Sequence, residues 1–181
     1  RHLGIGYHDM ASVRALVEKK AIAGIFITDH NVRRRRVADI KADIDTLQSI
    51  RAAQGLPPLL VAADQEGGSV SRLTPPLRRQ TSLARTIAKV PAGGDVRSAV
   101  EAYARVQARE LRRVGVTLNF SPVVDLKIDP RRRSDGETRL RQRALSADPR
   151  RVAEAAGWYC DTLAAEGVSC TIKHFPGLGR V

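Results

Sequence analysis

The sequence predicts an α/β fold in which parallel strands alternate with helices. Apolar and β-branched residues follow one another in several short runs, and such continuous runs are typical of strands buried on both faces of a parallel sheet. The runs are IAGIFIT (22–28), LLVAA (59–63), VTLNF (116–120) and SCTIK (169–173), with LGIGY (3–7) as a weaker candidate. Helical patterns separate them, and this alternation places the strands side by side in one sheet.

Capping residues and apolar residues spaced three and four apart mark the predicted helices. An acidic or hydroxyl side chain just before an apolar stripe indicates a helix N-terminus, and a glycine just after it indicates the C-terminus. The predicted N-caps are Asp9 or Ser12, Asp95, and Asp148 with Pro149 behind it; the predicted closing glycines are Gly55 and Gly167.

The alternation leaves two architectures open, a doubly wound open sheet and part of a closed (β/α)8 barrel. No GxGxxG follows a strand and no GxxxxGK[ST] occurs in the sequence, so neither nucleotide-binding loop is predicted. Two longer stretches, 64–95 and 121–147, follow predicted strands. In a barrel these are the loops on which active sites are built.

Composition narrows the classes of partner. The 181 residues fit one domain, and no apolar run reaches the ~18 residues that a membrane helix needs. The net charge of +12 comes partly from arginine clusters at 33–36, 131–133 and 139–143. Such clusters bind polyanions or form solvated helix faces, and an aromatic content of 4% provides few stacking platforms for nucleic acid. We therefore expect no nucleic-acid partner and no membrane segment.

The two cysteines, Cys160 and Cys170, form neither a disulfide framework nor a metal-binding spacing. We expect both to be small buried residues, and we expect no metal and no cofactor. A reducing compartment is compatible with this cysteine usage.

Polar side chains follow three of the predicted strands at the same end. Asp64 comes after the second strong run, Asp125 after the third, and Lys173 with His174 after the fourth. If the strands are parallel, these side chains converge on one rim. Taken singly, Asp64 or Lys173 is more simply explained as half of a structural ion pair. Together, carboxylate, ammonium and imidazole groups suit a polyhydroxylated ligand, whose hydroxyls both donate and accept hydrogen bonds.

The stretches LLVAADQEGGSVSRL, VTLNFSPVVDL and IKHFPGLG, in this order, resemble glycoside hydrolase family 3, and specifically its single-domain β-N-acetylhexosaminidase branch. GIFITDHNV (24–32) is similar to an early strand and loop of that branch. The resemblance implies a (β/α)8 barrel that removes terminal β-linked N-acetylglucosamine, as from peptidoglycan fragments, with retention of configuration. It also implies a cytoplasmic location in wall recycling and a carbohydrate substrate.

The resemblance assigns substrate contacts to Asp64, Arg72, Arg143, Lys173 and His174. Asp64 corresponds to a contact with the outer hydroxyls of the sugar, and Lys173 and His174 to contacts with the ring. Arg143 has close competitors in Arg139 and Arg141. Two departures stand out: Ser69 replaces a frequent arginine and Leu178 replaces a frequent histidine.

The resemblance places no catalytic residue inside the chain, because the proton-donor histidine and the nucleophilic aspartate are expected after Val181. A (β/α)8 barrel needs ~250 residues, so residues 1–181 are expected to be the N-terminal portion of one barrel domain, incomplete at its C-terminal side and inactive alone. Glu66 is the chief rival as a catalytic carboxylate. A non-catalytic carbohydrate-binding barrel and a β-glucosidase-type member of the family remain alternatives.

Overall fold

The structure is a computed structural model that describes residues 3–127 and 138–178. The strands are β1 (Gly4–Gly6), β2 (Gly24–Ile27), β3 (Leu60–Ala63), β4 (Gln65–Gly67), β5 (Val70–Ser71), β6 (Leu118–Asn119) and β7 (Ser169–Cys170). Five of them form one sheet in the order β1-β2-β3-β6-β7, and every neighbouring pair is parallel. β4 and β5 form an antiparallel hairpin directly after β3. All five predicted strands are therefore present, although each is shorter than its apolar run.

The helices are α1 (Met10–Glu18), α2 (Asp29–Val32), α3 (Val37–Ala53), α4 (Leu83–Ala88), α5 (Val96–Arg113), α6 (Leu140–Arg143) and α7 (Pro149–Ala165). The predicted N-caps are confirmed. Asp9, Asp95 and Asp148 accept hydrogen bonds of 2.8, 3.0 and 2.9 Å from backbone N–H groups in the first turns of α1, α5 and α7. The short helices α2, α4 and α6 were not predicted.

The strand order decides between the two architectures. A doubly wound sheet reverses its strand order at a switch point, whereas these parallel strands follow one another in chain order. In the described ranges β1 and β7 do not pair with each other, so the sheet forms an open arc. The predicted α/β fold of the (β/α)8 type, incomplete in this chain, is confirmed.

The apolar core lies between the sheet and the helices that connect its strands. Ile25 and Ile27 of β2 and Val61 of β3 are buried, as are Leu111 of α5 and Leu163 of α7. Burial on the helix-covered side holds the strands in register, so the positions at which they end are fixed.

The expectation for the cysteines is wrong. Cys160 of α7 and Cys170 of β7 are joined by a disulfide bond with a Cα–Cα distance of 5.4 Å, and neither residue is fully buried. The physical reason is the turn from α7 into the adjacent β7, which returns the chain alongside itself within a sequence separation of 10. Neither cysteine lies in a spacing motif that would have shown this pairing.

The first arginine cluster is largely neutralised by nearby carboxylates. Arg35 pairs with Asp43 and Arg36 with Asp39, each at 2.7 Å. These ion pairs support the interpretation of a solvated helix face, and residues 131–133 lie outside the described residues. None of the helices within 3–127 and 138–178 combines the length and apolar character that crossing a bilayer requires.

Candidate functional site

The predicted polar residues meet at the carboxyl end of the sheet. Asp64 follows β3 directly, and Lys173 lies beyond β7, where it pairs in parallel with Val123. The Lys173 ammonium contacts the Asp64 carboxylate across 109 residues of sequence, and its Nζ lies 2.5 Å from Oε1 of Glu66. The predicted convergence of strand ends is therefore confirmed, with Lys173 bridging two carboxylates.

Glu66 is held from its other side by Arg143. The guanidinium donates two hydrogen bonds, from Nε to Oε2 at 2.8 Å and from Nη2 to Oε1 at 2.6 Å. This two-pronged geometry fixes both groups relative to each other, and the hydrogen bond to Glu66 raises the pKa of Arg143. Of the three competing arginines, Arg143 is the one that contacts Glu66, while Arg139 lines the cavity beside it.

His174 connects Arg143 to Asp125. Its Nδ1 lies 2.6 Å from Oδ2 of Asp125, and its Nε2 lies 3.2 Å from Nη2 of Arg143. A guanidinium only donates, so Nε2 accepts and the proton is assigned to Nδ1. The Lys173–His174 peptide bond is cis.

Asp125 anchors the segment that carries His174. Its Oδ1 accepts a hydrogen bond of 2.6 Å from the backbone N–H of Leu178, and Oδ2 accepts one of 3.2 Å from the backbone N–H of His174. Burial works to raise the pKa of Asp125, but the hydrogen bonds from His174 and Leu178 outweigh it and hold that pKa below its usual value.

A buried polar layer beneath these residues fixes the backbone at Gln65. The carbonyl of Gln65 accepts hydrogen bonds from the side-chain amides of Gln107 at 2.8 Å and Asn119 at 3.0 Å. Tyr159 donates to Gln107 and accepts from Asn119, and its burial raises its pKa. Every member has a partner, so the layer is rigid rather than costly.

The neighbouring backbone is fixed in the same way. The Tyr103 hydroxyl lies 2.7 Å from the carbonyl oxygen of Glu66 and 3.0 Å from that of Thr81, and its one hydrogen is shared between them. Gly67 has φ of +87°, and a Cβ there would lie 2.4 Å from the carbonyl oxygen of Thr81. Only a glycine leaves room for the backbone to come this close. The turn after Glu66 therefore depends on Gly67.

A cavity of about 290 Å³ opens beside the ionic cluster. It is lined by Asp64, Ser69, Val70, Arg72, Thr138, Arg139 and Arg143. Lys173 and His174 stand behind this wall, in contact with Asp64 and Arg143 respectively. Arg72 is exposed at the rim, and its backbone N–H donates to the carbonyl of Asp64 at 3.3 Å. All five predicted contact residues therefore belong to one site.

The charged groups of this cluster can bind hydroxyl groups. Carboxylates accept from hydroxyls and cations donate to them, so each group can contact a sugar without leaving its neighbour unpaired. In the described part of the chain, the three carboxylates of the cluster, Asp64, Glu66 and Asp125, each already contact a cationic or imidazole side chain.

The sequence did not predict Glu66 as the centre of the ionic cluster, the buried layer of Gln107, Asn119 and Tyr159, or the contacts of Tyr103 beside it. A signal for the layer was available. Tyr103 and Gln107 lie on the apolar face of α5 together with Val100, and a glutamine on such a face usually has a buried partner.

Comparison with known proteins gives concordant results. The profile of the glycosyl hydrolase family 3 N terminal domain matches residues 3–181. Beta-hexosaminidase LpqI of Mycobacterium tuberculosis is 34% identical over 98% of this chain and 42% of its own length. A Beta-hexosaminidase of Xanthomonas campestris is 35% identical over 94% of this chain and 48% of its own length. The chain therefore spans about half the length of the curated relatives it matches.

Solved structures of named hexosaminidases also resemble this chain. NagZ from Neisseria gonorrhoeae, in complex with N-trifluoroacetyl-D-glucosamine, superposes with a TM-score of 0.81 at 25% identity, covering 99% of this chain and 52% of that one. A β-N-acetylhexosaminidase from Beutenbergia cavernae gives 0.79 at 28% identity, covering 99% and 53%. The parallel arc and its strand-end residues thus lie within a fold that these proteins share.

Proposed function

Because the chain belongs to glycosyl hydrolase family 3, we propose that its protein hydrolyses terminal β-linked N-acetylglucosaminides. We also propose that the charged residues at the strand ends bind the N-acetylglucosamine unit that is released. The observation that carries the proposal is the ionic cluster at the strand ends, where Lys173 joins Asp64 to Glu66 and Arg143 joins Glu66 to His174. The class of sugar in this proposal comes from the relatives that are named hexosaminidases. Substrates of the peptidoglycan-fragment type follow from the same resemblance.

In this reaction the bond between the anomeric carbon and the aglycone oxygen breaks. Water supplies a hydroxyl to the sugar and a proton to the aglycone. A retaining enzyme divides this between a nucleophile and an acid–base group. We assign the described residues to binding: Asp64 accepts from outer hydroxyls, while Lys173 and Arg143 donate to sugar oxygens. The two catalytic groups then come from elsewhere in the protein, and Glu66, held between two cations, is not one of them.

The test is hydrolysis of nitrophenyl N-acetyl-β-glucosaminide by the protein at its full natural length, beside the plain nitrophenyl β-glucoside. We expect preference for the N-acetylated substrate. Asp64→Ala removes charge-assisted hydrogen bonds and is expected to lower kcat/KM about 100-fold. Asp161→Ala, on the exposed face of α7, is the matched control and should change little.

Two results would contradict the proposed activity and favour a different function. Preference for the plain glucoside would favour the β-glucosidase-type alternative. Binding of N-acetylglucosamine without release of nitrophenol would favour a non-catalytic carbohydrate-binding protein, since carboxylates already paired with cations can bind a sugar without attacking it.

We propose that the protein is cytoplasmic, and the Cys160–Cys170 pair gives this location a direct test. The cytosol keeps thiols reduced, whereas exported proteins retain disulfides. Thiol alkylation in intact cells, followed by mass spectrometry, distinguishes them. Two alkylated cysteines support the cytoplasm, and a bonded pair supports export.

A further inference from the structure

A second cavity lies at the opposite end of the sheet from the proposed sugar site. Its volume is about 840 Å³, which is in the range of small-molecule sites. Its lining comes from the residues after α1, the residues just before β2, the end of α3, and the loop that leads into β3. These segments surround the amino ends of the strands, whereas the sugar site lies at their carboxyl ends. The two cavities share no lining residue.

The lining of this cavity is apolar apart from three cations. The apolar residues are Ile22, Ala23, Leu56, Pro57, Pro58 and Leu60, and the cations are Lys19, Lys20 and Arg51. Among the described residues, no carboxylate and no aromatic ring lines it. A polyhydroxylated sugar would find no carboxylate here to accept its hydroxyl hydrogens, and a nucleobase would find no ring on which to stack. The lining instead matches a ligand that joins a negative charge to an apolar group.

Arg51 is a buried cation without a counter-charge. It is 6% exposed, and its Nε donates a hydrogen bond of 3.2 Å to the carbonyl of Pro57. Within residues 3–127 and 138–178, no carboxylate forms an ion pair with Arg51, and its Nη1 and Nη2 have no hydrogen-bond partner. A buried charge without a partner is costly for the folded state. An anion in the cavity would remove that cost.

Two further cations stand at the rim of the same cavity. Lys19 and Lys20 are exposed, and in the described part of the chain neither forms an ion pair. Lys41 of α3, by contrast, pairs with Asp45 at 2.5 Å. The rim lysines therefore attract an anion toward Arg51 without competition from a carboxylate in the lining.

Hydrogen bonds between the elements fix the walls of the cavity. Gln54, just after α3, donates from its side-chain amide to the carbonyls of Val17 and Glu18, each at 3.0 Å. Gln48 donates to the carbonyl of Leu59 and accepts from its N–H, each at 2.9 Å. The end of α1, the end of α3 and the start of β3 are thus tied together. Because the walls are formed in advance, a ligand can bind with little loss of conformational freedom in the protein.

We propose that this cavity binds an anionic amphiphile with a single alkyl chain, of the fatty-acid type. Its carboxylate pairs with Arg51 and the two rim lysines, and its alkyl chain packs against the apolar wall that ends at the exposed Leu60. The concave shape fits one such molecule better than the flat surface of a bilayer. Because these residues lie at the other end of the sheet, binding here does not depend on the proposed hydrolase activity.

The experiment measures binding of octanoate to the protein at its full natural length by isothermal titration calorimetry. Octan-1-ol has the same chain length without the charge, and acetate has the charge without the chain. The cavity variant is Lys19→Gln with Lys20→Gln, in which both changes are at exposed positions. The matched control is Lys89→Gln with Arg150→Gln, which removes the same charge from exposed positions outside the cavity lining.

We expect wild type to bind octanoate about 10-fold more tightly than octan-1-ol, because octanoate alone can pair with the cations. Acetate should bind more weakly than octanoate, because it has no chain to pack against the apolar wall. The cavity variant should lose about 10-fold in affinity for octanoate, and the control should lose none. Arg51→Met should bind octanoate no better than octan-1-ol, and circular dichroism checks that this variant is folded.

Equal affinity of wild type for octanoate and octan-1-ol, or equal losses in the cavity variant and the control, would overturn the proposal. Sedimentation with phosphatidylglycerol vesicles that the cavity variant loses, without binding of octanoate in solution, would also overturn it and would assign these residues to a membrane surface. Hydrolysis of nitrophenyl N-acetyl-β-glucosaminide is measured on the same preparation. Octanoate binding without hydrolysis would contradict the proposed function and leave the cavity proposal intact.

Discussion

At the scale of single residues, the carboxylate of Glu66 lies between two cations in a largely buried setting. The side chain of Glu66 is 5% exposed, that of Arg143 11% and that of Lys173 14%. Removing such charges from water is costly, and their mutual contacts offset that cost only while all partners are present. We therefore expect the loss of Glu66 to cost more stability than the loss of an exposed ion pair such as Arg14–Glu18.

Glu66→Gln should destabilise the protein by about 3–5 kcal/mol, because it leaves two buried cations without their shared counter-charge. Urea denaturation measures the change in free energy of unfolding. Glu18→Gln, which breaks the exposed pair with Arg14, serves as the control and should change stability by less than about 1 kcal/mol. Equal losses in both variants would show that burial of the Glu66 cluster contributes nothing.

Asp125 should make stability depend on acidic pH. Its folded-state pKa lies below the unfolded value of about 3.9, so its contribution is present above that value and is lost as pH falls through the folded pKa. The stability difference between wild type and Asp125→Asn should therefore shrink on acidification from pH ~7 to pH ~3. Chemical denaturation across this range, with Asp161→Asn as control, measures it. A difference that stays constant would contradict the ionic role of Asp125.

The sequence allowed Asp64, Lys173 and His174 to be placed together because polar residues ended three parallel apolar runs. Glu66 was harder to place, since a residue two positions after a strand can point either way. The hairpin of β4 and β5, absent from the prediction, is what directs it inward. The ligand-contact roles of all five predicted residues stay predictions until a bound sugar is observed.

At the scale of elements, the turn from β4 into β5 positions the site through Gly67. Gly67→Ala should cost more than about 2–3 kcal/mol, because the new Cβ would meet the carbonyl of Thr81 at 2.4 Å in a left-handed backbone. Gly55→Ala is the matched control: φ is +65° but nothing lies within 4 Å of its Cβ position, so only about 1–2 kcal/mol is expected. Thermal unfolding of both variants measures the difference. Equal losses of stability in the two variants would mean that the hairpin shifts at little cost to make room for the new Cβ.

The disulfide between α7 and β7 should stabilise the oxidised protein by about 2–3 kcal/mol, since it closes a loop with a sequence separation of 10. Unfolding with and without dithiothreitol measures this. The double variant Cys160→Ala with Cys170→Ala should match the reduced wild type and should not respond to reductant. A wild type that is equally stable in both states would contradict the stabilising role.

Long elements with caps were predictable from local signals, as Asp95 of α5 and Asp148 of α7 illustrate. The short helices α4 and α6 carry too few residues for a periodic pattern to be visible. α6 matters most, because it delivers Arg143 to Glu66. Its position depends on tertiary contacts rather than on its own sequence.

At the scale of the whole molecule, the parallel arc brings residues distant in sequence to one rim. Asp64 and Lys173 are 109 residues apart yet in contact. The fold class followed from strand–helix alternation, whereas the choice between an open sheet and a barrel needed either the family resemblance or the observed strand order.

We propose that this rim holds N-acetylglucosamine for hydrolysis. A crystal structure of the protein at its full natural length, soaked with N-acetylglucosamine, tests this proposal. We predict sugar oxygens within about 2.7–3.2 Å of the side chains of Asp64, Arg143, Lys173 and His174, in the cavity that Arg72 borders. A sugar bound elsewhere, with this cavity empty and Asp64 still in contact with Lys173, would contradict the proposal.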